Sequence, residues 1–243
     1  MIKKMRDEEL RGKAPAIVAV MRALSVRDAE RAKKNGADML ELRIDLLNDK
    51  ERDGGKIKEF ISMRHMPLIV TNRRRAEGGS FTGTEEERIA LLSSILETAE
   101  VDFVDLELSS PPAVRARLVE LAQGLQIPII FSFHDFRGMP PRAELVRIVT
   151  SMYEEGGSIA KIAVTPQTLS DALLMLNLTD EIAREGKLFA AIGMGPIGRH
   201  LRVVAPLYGS VLTYGFIEGE EEVAPGQFSV KELRSILDRL MLK

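Results

Sequence analysis

The chain has 243 residues, 45% of them hydrophobic, with 34 basic against 36 acidic side chains and no cysteine. A chain of this length buries enough apolar surface to fold without a disulfide or metal staple. The absence of cysteine excludes a disulfide framework, a thiolate-held zinc or iron–sulfur centre and a cysteine nucleophile. The net charge of −2 points away from nucleic acid and from membrane surfaces as partners. The N-terminal stretch MIKKMRDEELRGK is charged and lacks the apolar core of a signal peptide. No run approaches the ~18 apolar residues of a spanning helix, so a cytoplasmic location is expected.

Short β-rich runs alternate with longer amphipathic stretches. In chain order the strand candidates are AIVAVM (16–21), DMLELR (38–43), PLIVTN (67–72), DFVDLEL (102–108), IPIIFSF (127–133), IAKIAV (159–164), KLFAAIG (187–193) and SVLTYG (210–215). Between them lie helix-like segments such as VRDAERAKKNG, TEEERIALLSSILETAE, PAVRARLVELAQG and RAELVRIVTSMYEEGG, and VKELRSILDRLML closes the chain. Ile89, Leu92, Ile95 and Leu96 recur at helical spacing, and Thr84 with Glu87 reads as a capping box. Gly36, Gly124 and Gly156 stand where helix C-termini should release the chain. Strict alternation implies a parallel sheet, because parallel neighbours need helical crossovers. Eight units predict one (β/α)8 TIM barrel spanning 1–243, with an open doubly wound sheet as the alternative. No linker marks a second domain.

In such a barrel the site forms at the strand C-terminal ends, and polar residues collect there. Glu41 and Arg43 are two apart and share a strand face, either as an ion pair or as ligand contacts. Arg73, Arg74, Arg75 and Glu77 precede Gly78 and Gly79. A basic cluster there suits an anion, although Arg74 and Arg75 read better as solvated. The glycine pair permits a sharp turn or a close backbone approach. Ser132 and His134 share a face opposite Phe131 and Phe133, and a strand-end histidine can exchange protons near neutral pH. Lys161 sits mid-strand between Ala160 and Ile162. A lysine in a barrel strand is seldom buried without a partner or a task, the alternative being a strand-edge lysine that snorkels to water, and burial favours the neutral amine that attacks a ketone. Gly193, Gly195 and Gly198 fit G-x-G-x-x-G, but late in the chain and without the acidic residue a dinucleotide fold needs. Arg202 lies just beyond, and Gln227 ends a Pro–Gly turn.

Taken in order, ELRID, RRRAEGG, SFHDF, KIAVTP, MGPIGRHLR, YGSVLTYG and APGQFS resemble the type I 3-dehydroquinate dehydratase family, over nearly the whole chain. The resemblance implies a hydro-lyase of the shikimate pathway that dehydrates 3-dehydroquinate to 3-dehydroshikimate through a lysine Schiff base. It assigns Lys161 as the Schiff-base lysine, His134 as the general acid/base and Glu77 as the carboxylate that positions it. Glu41, Arg43 and Arg73 become polar substrate contacts, Arg202 the grip on the substrate carboxylate and Gln227 a residue of the closing loop. It implies neither metal nor organic cofactor, and a homodimer. Two departures stand out: Val223 where the family commonly has serine before APGQ, and Leu201 before Arg202 where Ser-Arg is frequent. Two other readings share parts of the pattern, a lysine-dependent aldolase and a non-catalytic barrel using the glycine segment as an anion site.

Overall fold

The computed structural model describes residues 7–11 and 14–241. Parts of the charged N-terminal stretch (1–6 and 12–13) and the end of the closing helix segment lie outside the described residues. The strands are β1 (Ala16–Met21), β2 (Met39–Arg43), β3 (Leu68–Thr71), β4 (Phe103–Glu107), β5 (Ile129–Asp135), β6 (Ile159–Val164), β7 (Leu188–Gly193) and β8 (Leu212–Phe216). All pair in parallel, in the order β7-β6-β5-β4-β3-β2-β1-β8. The two edges meet: Phe189 on β7 bridges Ser210, and Val211 N donates to Phe189 O at 2.8 Å. That contact makes the sheet a (β/α)8 barrel and removes the open-sheet alternative.

The crossovers are α1 (Val26–Lys34), α2 (Gly54–Met63), α3 (Glu85–Thr98), α4 (Pro112–Gly124), α5 (Arg142–Glu154) and α6 (Leu169–Arg184). Two one-turn helices, α7 (Gly195–Gly198) and α8 (Leu201–Val204), precede β8, and α9 (Val230–Leu240) closes the chain. The expected box at Thr84 and Glu87 is present, and two more cap α6 (Thr168, Asp171) and α9 (Ser229, Glu232). Each such cap satisfies N–H groups that the helix itself leaves orphaned. Gly36 and Gly156 take left-handed conformations as expected, at φ 96° and 90°. Gly124 does not. It is the last residue of α4, and Gln126 takes the left-handed position at φ 55°. The reason is the closing bond from Ile127 N to Ala122 O, which fixes the release two residues later. The same bond commits Ile127, and Pro128 has no N–H, so β5 starts at Ile129 and runs to Asp135 rather than over 127–133. β8 likewise begins at Leu212, with Ser210 contributing only a bridge.

Both faces of each strand are covered, as parallel sheets require. Outward side chains such as Ile17, Leu40, Leu42 and Phe131 pack under the helices with Leu92, Leu118, Met152, Met175 and Leu237. Inward side chains change character along the barrel axis. Val18, Met39, Ile69, Phe103, Ile130, Ile159, Leu188 and Leu212 fill the N-terminal half. Two residues further along each strand, period two brings the next inward layer, and it holds Glu41, Thr71, Asp105, Ser132, Lys161 and Tyr214, all buried. The apolar plug is thus the floor of a polar chamber.

Candidate active site

All eight residues singled out in the sequence line one cavity at the strand C-terminal ends: Glu41, Arg43, Arg73, Glu77, His134, Lys161, Arg202 and Gln227. Its empty volume, open mouth included, is about 510 Å³. Phe136, Met194, Tyr214, Val223 and Ala224 complete much of the wall.

Lys161 is 4% exposed. The sequence suggested an amine in apolar surroundings, but Nζ donates to Asp105 Oδ2 at 2.9 Å and lies 3.7 Å from Glu41 Oε1. It also sits 4.2 Å from the centroid of the Tyr214 ring. Asp105 is thus the carboxylate in direct contact with the amine. Burial pushes the Asp105 carboxyl up, but the Arg73 and Lys161 charges outweigh it and hold the group well below the usual carboxylate range. Glu41 Oε1 also accepts from Thr71 Oγ1 at 2.8 Å.

Beside the lysine runs a buried chain of charges. Arg73 Nη1 reaches Asp105 Oδ1 at 2.8 Å, Glu107 Oε1 at 2.6 Å and Ser132 Oγ at 2.7 Å. Arg88, fully buried, pairs with the other Glu107 oxygen at 2.8 Å and donates to Asn72 O and Ser110 Oγ. Arg43 and Glu41 do not pair with each other. Arg43 instead forks onto Asp45, Nε to Oδ1 at 2.9 Å and Nη2 to Oδ2 at 2.8 Å. Asp45 also accepts from the backbone N–H groups of Arg73 and Ser80. Burial raises the Asp45 carboxyl, and these donors together with the Arg43 charge bring it below its ordinary value. Asp45 thereby ties the end of β2 to both ends of the Arg73–Ser80 loop.

In that loop Gly78 adopts φ 79°, and a Cβ on Gly79 would lie 2.0 Å from Arg73 O. The glycine pair therefore serves a turn that folds back on its own backbone. It delivers Glu77, whose Oε2 accepts from His134 N at 2.9 Å and meets His134 Nδ1 at 2.9 Å. Glu77 Oε1 accepts from Ser109 Oγ, which Arg74 holds through its own Nη1. Arg75 is exposed as expected, but Arg74 is half-buried and supports Ser109. Burial and the Glu107 charge push the Glu77 carboxyl up to about 7, against the pull of Ser109, Arg73 and the His134 N–H. Burial, then the Arg73 and Lys161 charges, press His134 well below its usual range, so the ring is neutral near pH 7. A neutral ring with Nδ1 facing a carboxylate carries its proton on Nδ1 and a lone pair on Nε2.

Arg202 is 1% exposed, and the one hydrogen bond of its guanidinium among the described residues is a long one, Nη1 to Tyr214 O at 3.3 Å. Nε and Nη2 are buried without a partner, and among the described residues no carboxylate pairs with it. Burial, with the repulsion of Arg199, lowers this guanidinium to about 10 despite Glu222. A desolvated guanidinium with free donors in a cavity wall is suited to bind a carboxylate. The glycines preceding it have another use. A Cβ on Gly193 would stand 2.1 Å from Gly198 O, so the two residues are in close backbone contact. Their spacing reflects packing of β7 on α7. Gln227 is buried and its Oε1 accepts from Val223 N at 2.7 Å and Ala224 N at 3.3 Å. Only its amide N–H groups are left for a ligand. Val223 packs against the inner apolar cluster, which is what replaces the serine hydroxyl here.

Sequence reasoning missed Asp105, Glu107, Asp45 and Tyr214. The period-two rule that found Ser132 and His134 applies equally to Phe103–Asp105–Glu107, and two acidic residues facing into a barrel were a usable signal. Tyr214 offered none, since a strand tyrosine is ordinary.

A parallel barrel whose strand ends bring together a buried lysine, a histidine–glutamate pair and an unpartnered arginine defines a (β/α)8 enzyme with a small-molecule site. The family model for type I 3-dehydroquinase matches residues 17–242. The chain is 42% identical over 236 residues to the 3-dehydroquinate dehydratase of Methanothrix thermoacetophila, covering 96% of each. It is 40% identical over 231 residues to that of Methanosarcina mazei, covering 94% of this chain and 96% of the relative. The crystal structure of the type I 3-dehydroquinate dehydratase from Clostridium difficile superposes with a TM-score of 0.85 at 30% identity, covering 95% of this chain and 94% of that one. The chain belongs to the type I 3-dehydroquinase family, and is a hydro-lyase of the shikimate pathway.

Proposed function

We propose that the chain dehydrates 3-dehydroquinate to 3-dehydroshikimate through a Schiff base on Lys161. The observation that carries this reading is the buried Lys161 amine in one cavity with the His134–Glu77 pair. The Clostridium difficile relative, solved with a covalently modified comenic acid, supports a covalent route.

In this reading Nζ adds to the C3 carbonyl carbon, and the π pair moves to oxygen, which is protonated. The carbinolamine hydroxyl then takes a second proton from solvent and leaves as water, giving an iminium ion. The iminium draws electrons and acidifies the C2 proton, which His134 Nε2 removes to give an enamine. The electron pair then expels the C1 hydroxyl, which leaves as water with the proton His134 returns. Hydrolysis of the conjugated iminium frees the product and Lys161. Glu77 keeps the proton of the ring on Nδ1, so that Nε2 is the base. Arg202 takes the substrate carboxylate on its free Nε and Nη2, a bidentate geometry that lysine cannot reproduce. Glu41 and the Gln227 amide contact hydroxyls, while Arg43 and Arg73 line the wall with part of their hydrogen bonding committed to Asp45, Asp105, Glu107 and Ser132. We further propose one domain per chain, a homodimer and a cytoplasmic location. The last accords with the described residues, in which no helix is long and apolar enough to cross a membrane.

The test is borohydride reduction during turnover of 3-dehydroquinate, followed by peptide mass mapping. A stable adduct on Lys161 is expected. Turnover, read from the ultraviolet absorbance of the conjugated product, without any trappable adduct refutes the Schiff base. His134→Ala should still form the adduct and turn over very slowly.

A further inference from the structure

Tyr214 stands on β8 with 4% of its surface exposed, and its hydroxyl oxygen is buried without a hydrogen-bond partner among the described residues. The residue lines the same cavity as Lys161 and Arg202. Its ring faces Lys161 Nζ at 4.2 Å from the centroid, and its main-chain oxygen is the acceptor for Arg202. A phenylalanine would offer Nζ the same ring face and the same packing without a desolvated hydroxyl. An unpaired buried hydroxyl destabilises the free protein, so the oxygen asks for a ligand partner. Burial, together with the negative charges of Glu41 and Asp105, holds the phenol well above its ordinary value. It remains a neutral O–H donor across the working pH range.

We propose that Tyr214 is a catalytic residue whose hydroxyl hydrogen-bonds the oxygen on the carbon that Lys161 attacks. The proposal rests on the Schiff-base reading above. Nζ stands over the ring face, so an oxygen on a carbon bonded to Nζ can be directed towards the hydroxyl at the ring's edge. As the N–C bond forms, the carbonyl π pair moves onto this oxygen, which takes one proton from the nitrogen; a second proton, taken from solvent through the cavity mouth, lets it depart as water while the nitrogen lone pair forms the iminium. Tyr214 donates its hydrogen bond throughout and keeps its own proton. A donor aimed at an oxygen that gains charge accelerates that step and not the later proton removal by His134.

The experiment is Tyr214→Phe, with quenched-flow borohydride trapping at saturating 3-dehydroquinate and a substrate deuterated at C2. Loss of one such hydrogen bond should slow adduct formation by about 10- to 100-fold. Since imine formation then limits turnover, the primary isotope effect on kcat should shrink towards one. The variant should unfold at or above the wild-type temperature. Adduct formation at the wild-type rate overturns the proposal, whatever happens to kcat. A variant that fails to fold overturns it too, because the hydroxyl would then have a structural partner. Failure of the wild type to trap at all would fall on the Lys161 reading instead, and so is distinguishable.

Discussion

Arg202→Met should make the free protein more stable and the enzyme much worse. The guanidinium is 1% exposed, and two of its three nitrogens have no acceptor. Burial lowers it to about 10, where an exposed arginine stays above ~12, which corresponds to roughly 3 kcal/mol of strain on the charged form. The folded value is depressed for a cation, so this cost is present at every pH below about 10 and does not fade near neutrality. Methionine keeps most of the stem's volume and removes the charge. It also removes the 3.3 Å bond to Tyr214 O, worth about 1 kcal/mol. The net gain is roughly 2 kcal/mol, or a melting temperature about 4–8 °C higher for a chain of this size. Binding moves the other way. Two charge-assisted hydrogen bonds to the substrate carboxylate are worth roughly 1.5–3 kcal/mol each, so kcat/KM should fall by about 10²- to 10⁴-fold. Thermal unfolding with and without saturating product, alongside the ultraviolet assay, measures both. Product should raise the wild-type melting temperature and leave that of the variant in place. A variant that is less stable than wild type, or that keeps kcat/KM within a factor of ten, would refute the assignment of Arg202 as an unpaired anion grip.

Two further outcomes follow from the buried charges. Glu77 is raised to about 7, so its contribution to stability is present below its unfolded value and is lost as the pH rises through about 7. Activity should run oppositely, since the carboxylate form is the one that holds the Nδ1–H of His134. We expect kcat/KM to fall on the acid side with an apparent midpoint near 7 that belongs to the Glu77–His134 pair, and Glu77→Gln to abolish that limb while lowering kcat roughly 10²-fold. An unchanged acid limb in the variant would detach Glu77 from the histidine. Arg73→Met strips Asp105 and Glu107 of their shared cation, leaving buried carboxylates exposed to each other's charge. A destabilisation of about 3–5 kcal/mol, seen as a melting temperature lower by roughly 10 °C, is expected in chemical and thermal unfolding. A loss under 1 kcal/mol would mean that water enters the chamber and screens the pair.

The strand–helix alternation and the period-two alternation within each strand are local properties, and both were legible in the chain. They sufficed to place Glu41, Arg43, His134 and Lys161 on inward faces, and the placement of polar residues at strand ends added Arg73, Glu77, Arg202 and Gln227. All eight reached one cavity because a parallel barrel points every strand C-terminus to the same rim. The glycines misled in part. Gly193 and Gly198 satisfy an anion-loop spacing, yet each exists to let the other's backbone come close, a contact that no spacing rule reveals.

What the sequence by itself determined is which side chains face inward. Only the tertiary structure decided which of them pair. Arg43 chose Asp45 over Glu41, Lys161 gained Asp105 from a strand 56 residues away, Arg202 was left without a salt-bridged carboxylate among the described residues, and Tyr214 came to lie against the lysine. Facing direction follows from the geometry of a single strand. Pairing depends on the register between strands distant in sequence, and on burial, which turns each matched or unmatched charge into a large energy. The lysine could therefore be found by its position in a strand, but its two carboxylate partners, its aromatic neighbour and the unpaired arginine across the cavity exist only once the barrel has closed.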